Sequence, residues 1–401
     1  MRSNSSNRRR KLLLSNQSTT YLFRSLCDRL AEDFPDDDVY LLAGSCELEA
    51  GQRPDFIYLK ATELVRSPGW KRLMSWSVYT LRFLFVVLSK RWDLVLVTTN
   101  PPFCAWVMGL MASFMRRPYV VIEYDIYPDV LDRMTVLKSD SVAYRVLKKL
   151  SALSMRGASG VVTLGEDMAR HLQAHGSIDA TNLHIIPNWA DTSIYRPVAR
   201  EENAFAKQCG IGDRFVVMYS GAFGATHDVD SMLEAARALS DLPDLVFVLV
   251  GKGTRYREIE AKIQRLALAN VKLLPWQPIE IVPLSLAAAD CHIVTLDAPY
   301  AGISFPSKFY TSISVGAAIL ALAPPDTDMC KVVRDARIGR VVPPGQPEDM
   351  ADALRDLYTY RGDTREMQER SRRLAEEQYD EKRCTGLYVE LVKSILGKSE
   401  A

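Results

Sequence analysis

Three stretches of the chain set cations beside glycine or serine turns, a combination suited to phosphate oxygens. In Leu249-Val-Gly-Lys-Gly-Thr-Arg255, Lys252 and Arg255 flank Gly251 and Gly253 directly after a strand-like run. A flexible glycine turn with two cations can cradle an anion; the plainer alternative is a solvated loop with surface charges. The stretch lacks the G-x-G-x-x-G dinucleotide fingerprint, because position 256 is Tyr. It lacks the P-loop pattern as well, which argues against nicotinamide enzymes and P-loop ATPases. In Gly302-Ile-Ser-Phe-Pro-Ser-Lys-Phe-Tyr310, Ser304, Ser307 and Lys308 would line a helix N-terminus, with Pro306 in the first turn. A lysine there opposes the helix dipole unless an anion is present. In Tyr219-Ser-Gly-Ala-Phe-Gly-Ala-Thr-His-Asp228, Gly221 and Gly224 permit close backbone approach, and Thr226 and His227 could add donors. The alternative is a tight strand–helix turn capped by Asp228 or Asp230.

A fourth stretch is acidic. Glu123-Tyr-Asp-Ile-Tyr-Pro-Asp129 holds three carboxylates within seven residues. A carboxylate at a strand end can accept a proton from a hydroxyl. Asp125 is read this way, and Asp129 as helix capping beside Pro128. Asn188 and Asp191 of Pro187-Asn-Trp-Ala-Asp191 suit a turn.

The elements that position these residues repeat. Short apolar runs alternate with helical patterns: Lys11–Ser15, Val39–Leu42, Leu94–Thr98, Tyr119–Tyr124, Gly160–Leu164 and Leu183–Pro187. After Pro197 the pattern restarts with Phe215–Ser220, Leu245–Gly251, Val271–Pro275, Cys291–Leu296, Ala318–Leu322 and Gly339–Val342. Continuous apolar strands separated by helices predict parallel sheets covered on both faces. The class is α/β, with two doubly wound Rossmann-like domains facing across a cleft. A length of 401 residues fits two such domains. The expected boundaries are a disordered tail over 1–10, domains over 11–198 and 199–379, and a helix over 380–401 crossing back to the first domain. Ligands of such sheets sit at the carboxyl ends of the strands, where the motifs fall.

Charge is uneven. Residues 1–200 hold 26 Lys and Arg against 20 Asp and Glu, and residues 201–401 hold 24 against 29. From Leu64 to Trp92 there are six basic residues (Arg66, Lys71, Arg72, Arg82, Lys90, Arg91) and no acid, interleaved with Trp70, Trp76, Tyr79 and Trp92. Segment 64–92 therefore reads as an interfacial helix facing anionic lipid, or as an amphipathic helix packed on its own domain. Its apolar run and that of 101–115 are too short to span a bilayer. Direct nucleic-acid binding lacks support, since the basic excess is small. Seven scattered cysteines without a C-x-x-C pair give no zinc ribbon or redox motif, and a reduced compartment is expected.

Together these residues resemble the retaining glycosyltransferases of family four, which have the GT-B fold, and within them the bacterial surface-polysaccharide and lipid-linked glycan branch. The resemblance rests on Pro187-Asn188-x-x-Asp191, Ser220-Gly221 with His227-Asp228, Val250-Gly251-Lys252-Gly253, Pro306-Ser307-Lys308 through Gly316, and Asp125-Ile-Tyr-Pro-Asp129. It covers residues 11 to 396. It implies sugar transfer from a nucleotide-sugar donor with retention, without metal or cofactor, on the cytoplasmic face of the membrane. The carboxyl-terminal domain would bind the donor through Gly221, Phe223, His227, Gly251, Lys252, Gly253, Ser304, Pro306 and Ser307. Trp276 would wall the nucleobase or else pack in the core. Lys308 and Arg255 would bear the leaving diphosphate's charge. The amino-terminal domain would bind a glycan or polyprenyl-linked acceptor through Glu123, Tyr127 and Asn188, with Asp125 orienting it or taking its proton. In one respect the chain departs from the family: the glutamates found eight residues apart in many members are Ile303 and Thr311 here. A nucleotide-sugar epimerase and an inactive interaction subunit are the alternatives.

Overall fold

The structure is a computed structural model that describes residues 8–19, 21–46, 54–65, 69–115, 117–174, 178–224 and 228–400. The chain divides into two compact units, one within 1–187 plus 382–401 and the other within 188–381. The strands of the first are β1 (Lys11–Ser15), β2 (Asp38–Ala43), β3 (Ile57–Lys60), β4 (Leu94–Thr98), β5 (Tyr119–Glu123), β6 (Gly160–Thr163) and β7 (Leu183–Ile185). Its helices are α1 (Tyr21–Asp33), α2 (Gly69–Ser89), α3 (Pro102–Met115), α4 (Asp129–Arg133), α5 (Val142–Arg156) and α6 (Glu166–Ala174). The second unit carries α7 (Ala204–Gln208), β8 (Phe215–Ala222), α8 (Val229–Ala238), β9 (Leu245–Lys252), α9 (Tyr256–Arg265), β10 (Val271–Pro275), α10 (Val282–Leu286), β11 (Cys291–Thr295) and α11 (Lys308–Ser314). It continues through β12 (Ala318–Leu322), α12 (Asp328–Asp335), β13 (Gly339–Val342), α13 (Pro347–Thr359) and α14 (Arg361–Gln378), and α15 (Glu381–Glu400) ends the chain.

Both sheets are parallel and doubly wound. The first has strand order β3-β2-β1-β4-β5-β6-β7 and the second β10-β9-β8-β11-β12-β13. Their central strands are apolar along their whole length because helices cover both faces: Leu12–Leu14, Leu94–Val97, Val120–Ile122 and Ala318–Leu322 are buried. Each fully buried aliphatic side chain adds roughly 1.5–3 kcal/mol. The twelve expected strands all form. β3 is not among the expected strands: its apolar run, Phe56 with Ile57, Tyr58 and Leu59, is short, and at this sheet edge none of the strand's own residues is fully buried.

The division falls at Pro187/Asn188, ahead of the expected 198/199. The reason is long-range. Trp189 is fully buried, the Ala190 N–H donates to Tyr379 O at 3.1 Å, and Arg372 donates to the carbonyls of Thr192, Tyr195 and Ser314. A stretch whose composition reads as a linker is thus sewn into the second unit. The last helix, α15, lies with the first unit, where Lys393 Nζ is 3.1 Å from Asp33 Oδ1.

Candidate functional site

The second sheet reverses its strand order between β8 and β11, the place where open α/β sheets bind ligands. A cavity of about 230 Å³ lies there. Ser220 and Gly221 of β8 line it, with Val250 of β9, Trp276 and Gln277 after β10, and Ser285, His292, Ser307, Lys308 and Thr311.

Lys308, the first residue of α11, is its cation. Its Nζ donates to the Tyr219 hydroxyl at 3.1 Å and lies 4.3 Å from the centre of that ring. The Tyr219 hydroxyl in turn donates to Ala222 O at 2.9 Å. No carboxylate among the described residues pairs with Lys308. Desolvation by burial lowers its pKa to about 8, so an incoming oxyanion would restore the stabilisation that water no longer gives. The space for that ammonium exists because residue 221 is glycine, since a Cβ there would overlap Lys308 Nζ. Gly251 and Gly253 act one layer further in. A Cβ on Gly251 would strike Gly221 O, and one on Gly253 would strike Phe223 O. The ends of β8 and β9 approach this closely only with glycine at these positions.

The opposite wall is neutral and polar. His292 is buried, its Nε2–H donates to Leu286 O at 3.0 Å, and burial lowers its pKa to about 4, which keeps the ring uncharged. Ser285 Oγ is buried without a hydrogen-bond partner, so the wall has a polar group free for a ligand. Trp276 is 52 % exposed, so it is no core residue, and Lys252 Nζ sits 5.0 Å from its ring centre.

The other expected donor residues fall differently. Arg255 is held by Asp230 Oδ2 at 2.6 Å and Glu258 Oε1 at 2.7 Å and does not line the cavity. Phe223 is fully buried and stacks on Tyr219 with ring centres 5.9 Å apart. It supports the floor through packing. Pro306 lies ahead of the first turn of α11, whose N-cap position is Ser307, and Ser304 is partly buried upstream of it. Asp228, not Asp230, caps α8, accepting from the Ser231 N–H at 3.1 Å. Thr226 and His227 lie outside the described residues. The departure from the glutamate pair is built in: Ile303 is a buried core residue, and the Thr311 hydroxyl donates to Lys308 O at 3.1 Å.

In the first unit the acidic stretch follows β5. Glu123 is buried and its Oε2 has no partner. Burial, with the charges of Asp125 and Asp129, pushes its pKa well above the usual value. Asp125 is partly buried in the turn. Asp129 is not a cap: it lies inside α4 and binds Lys148 Nζ at 2.6 Å and the Tyr144 hydroxyl at 2.8 Å. Burial would raise its pKa, but hydrogen bonds from His171 and Lys148 outweigh that and hold it well below the carboxylate range. Tyr127 meets Trp76 of α2 edge-on at 6.0 Å. Asn188 is assigned to the second unit, buried, with Oδ1 unpartnered.

Several residues here escape sequence reasoning. Gln277, Ser285, His292 and Thr311 enter the cavity only through the fold. At the reversal of the first sheet, between β1 and β4, Asn100 Nδ2 donates to Asn16 Oδ1 at 3.2 Å and Gln17 Nε2 to Ser75 O at 3.1 Å. The signal available for those was a polar run straight after each strand, Ser15–Thr19 and Thr98–Asn100. Among the described residues no group of three His, Cys, Asp or Glu side chains is placed to hold a metal.

Two doubly wound parallel sheets in one chain, the second with a cavity holding Lys308 at its strand reversal, define a class, and the comparisons agree. Residues 201–376 match the family described as glycosyl transferases group 1, and residues 28–189 match the glycosyl transferase 4-like domain. The chain belongs to these glycosyltransferases. It is 26% identical over 279 residues to the probable glycosyltransferase WbjE of Pseudomonas aeruginosa, covering 69% of each chain. It is 26% identical over 267 residues to the putative colanic acid biosynthesis glycosyl transferase WcaI of Escherichia coli (strain K12), covering 65% of each. Its fold is that of Anabaena Alr3699/HepE solved with UDP-glucose, with TM-score 0.72, 20% identity, and coverage of 96% of this chain and 99% of that one. The two-domain GT-B expectation is thereby met.

Proposed function

We propose that the protein moves a sugar from a nucleotide-sugar donor, with retention of configuration and without metal, onto a lipid-linked or polysaccharide acceptor in surface-glycan biosynthesis. One observation carries the reading: Lys308, a desolvated ammonium that no carboxylate among the described residues pairs with, in a cavity at the strand reversal of the second sheet. WcaI's name, with its colanic acid biosynthesis, supports the surface-glycan setting. The UDP-glucose in HepE supports a uridine donor.

In this reading the bond between the sugar's anomeric carbon and the diphosphate breaks, and the acceptor oxygen bonds to that carbon from the same face. The acceptor's proton passes to Asp125 or to the departing phosphate. Lys308 neutralises the charge that develops on the diphosphate. The turns at Gly221, Gly251 and Gly253 admit the phosphates, Lys252, Ser304, Ser307 and His227 serve as further donors to them, and Trp276 stacks on the base. Glu123, Tyr127 and Asn188 hold the acceptor. Segment 64–92 keeps the enzyme on the cytoplasmic face of the membrane. No helix among the described residues is long and apolar enough to cross a bilayer.

The test is unfolding of the purified protein with UDP, GDP, ADP and their sugar conjugates, followed by NMR of the product's anomeric proton. A ligand that binds only the folded state raises the midpoint by mass action. One nucleotide class should do so, and the product should keep the donor's configuration. No shift with any nucleotide at millimolar concentration would discard the donor assignment and favour a non-catalytic subunit.

A further inference from the structure

The inner side of α2 is an ordinary core face. Trp76, Tyr79, Phe83, Val86 and Val87 are buried, and the Tyr79 hydroxyl donates to Leu42 O at 2.7 Å. Its outer side is apolar too: Trp70, Leu73, Met74, Leu81, Phe85 and Leu88 are all exposed. A helix that is apolar all round belongs in a protein core or against lipid.

The neighbouring helices extend this face. The connections from β3 to β4, β4 to β5 and β5 to β6 all run the same way across the sheet, so right-handed crossovers put α2, α3 and α5 on one side of it. They also touch. Trp76 meets Phe103 at 5.7 Å, and a Cβ on Gly109 of α3 would fall 2.5 Å from Ser154 Cα of α5. Leu110 and Phe114 of α3 point outward, Phe114 88 % exposed. On α5 the outward residues Val142, Val146 and Leu153 alternate with Arg145, Lys149 and Arg156 at helical spacing. Across α2, α3 and α5 there are seven Lys or Arg residues and no carboxylate. The opposite side of the sheet, with α1, carries Asp28, Glu32 and Asp33 and exposes no large hydrophobic residue on that helix.

We propose that α2, α3 and α5 together form a planar docking surface that enters one leaflet of an anionic bilayer, with apolar side chains below the headgroups and Lys and Arg among them. This extends the membrane role of segment 64–92 to two further helices and rests on that reading. The occupant is lipid because of the charge pattern. Basic side chains flank aromatic rings at the water boundary, with Lys71 Nζ 5.5 Å from the Trp70 ring centre and the Arg82 guanidinium 5.6 Å from that of Phe85, and no acid interrupts them. A helix lying in the interface buries its apolar face about 5–10 Å deep. Anchoring by insertion resists salt, whereas attraction to headgroups alone is screened.

Flotation of the full chain with phosphatidylglycerol/phosphatidylethanolamine vesicles at 0.1 M and 1 M NaCl tests this. The protein should float in both, with weakened but persistent binding at high salt. Phe114→Glu with Val146→Glu, outside the 64–92 segment, should cut vesicle partition by about tenfold or more, as should Leu81→Glu with Phe85→Glu. All four positions are exposed, so the unfolding midpoint and its shift with UDP should stay at the wild-type values. Unchanged partition of the Phe114/Val146 variant would overturn the three-helix surface. So would complete release at 1 M NaCl, or sedimentation showing that the patch is covered in a dimer of this chain. Loss of the UDP shift with wild-type flotation would count against the donor site alone.

Discussion

Replacing Lys308 by methionine should strengthen the empty protein while removing its function. The folded-state pKa of Lys308 is about 8 against roughly 10.4 for an unperturbed lysine. Below pH 8 both states carry the proton, and the folded state bears the whole cost of desolvating it. At roughly 1.4 kcal/mol per pKa unit that cost is about 3 kcal/mol. Losing the hydrogen bond from Lys308 Nζ to Tyr219 gives back about 1 kcal/mol, which leaves a net gain of about 2 kcal/mol at pH 7. For a unit of this size that is a rise of roughly 4–8 °C in the unfolding midpoint. The pH dependence has a fixed sign. Between pH 8 and about 10.4 the unfolded wild type binds the extra proton, so its stability climbs with pH. Lys308→Met lacks that climb, and its advantage closes across the same window. The assay is urea unfolding at pH 7 and 10, with and without UDP. Lys308→Met should be the more stable protein at pH 7, and UDP should no longer shift it. A variant less stable than wild type at pH 7, or one that UDP still stabilises, would refute the reasoning.

Other perturbations separate binding from support. Gly221→Ala displaces the end of a flexible lysine, so thermal scans should show a small loss of stability and loss of the UDP shift. Gly251→Ala strikes a backbone carbonyl instead; unfolding should show a loss of about 2 kcal/mol or more. Trp276→Ala removes a half-exposed ring, so titration should show nucleotide affinity falling by about tenfold or more, as for a lost base–aromatic stack, at unchanged stability. Glu123→Gln should be more stable than wild type above pH 5. The folded-state pKa of Glu123 is raised, so wild-type stability falls as pH rises from the unfolded carboxylate range toward that value, and the amide escapes this loss.

Both sheets and the order of the motifs are legible in the chain alone. Apolar runs such as Leu94–Thr98 and Ala318–Leu322 have few ways to hide both faces other than in a covered parallel sheet, and Lys252 and the glycines at 221, 251 and 253 fall at the ends of β8 and β9, while Lys308 opens the helix after β11. Edge strand β3 is the exception, since its apolar run is only four residues long and half-exposed, too short by itself to tell a strand from a connection. Tertiary structure decided which candidates act together. Arg255 and Lys308 look equivalent in the chain, yet Arg255 faces Asp230 and Glu258 while Lys308 faces Tyr219 and a cavity. Phe223 stands among glycines but fills the core, and Asp129 is claimed by Lys148 rather than by a helix end. His292 and Ser285 join the cavity without any motif of their own. Apart from Glu258, three residues on from Arg255, the deciding partners come from separate elements that the fold brings alongside, and burial and hydrogen bonding together then fix the group's charge. Local spacing encodes neither of these.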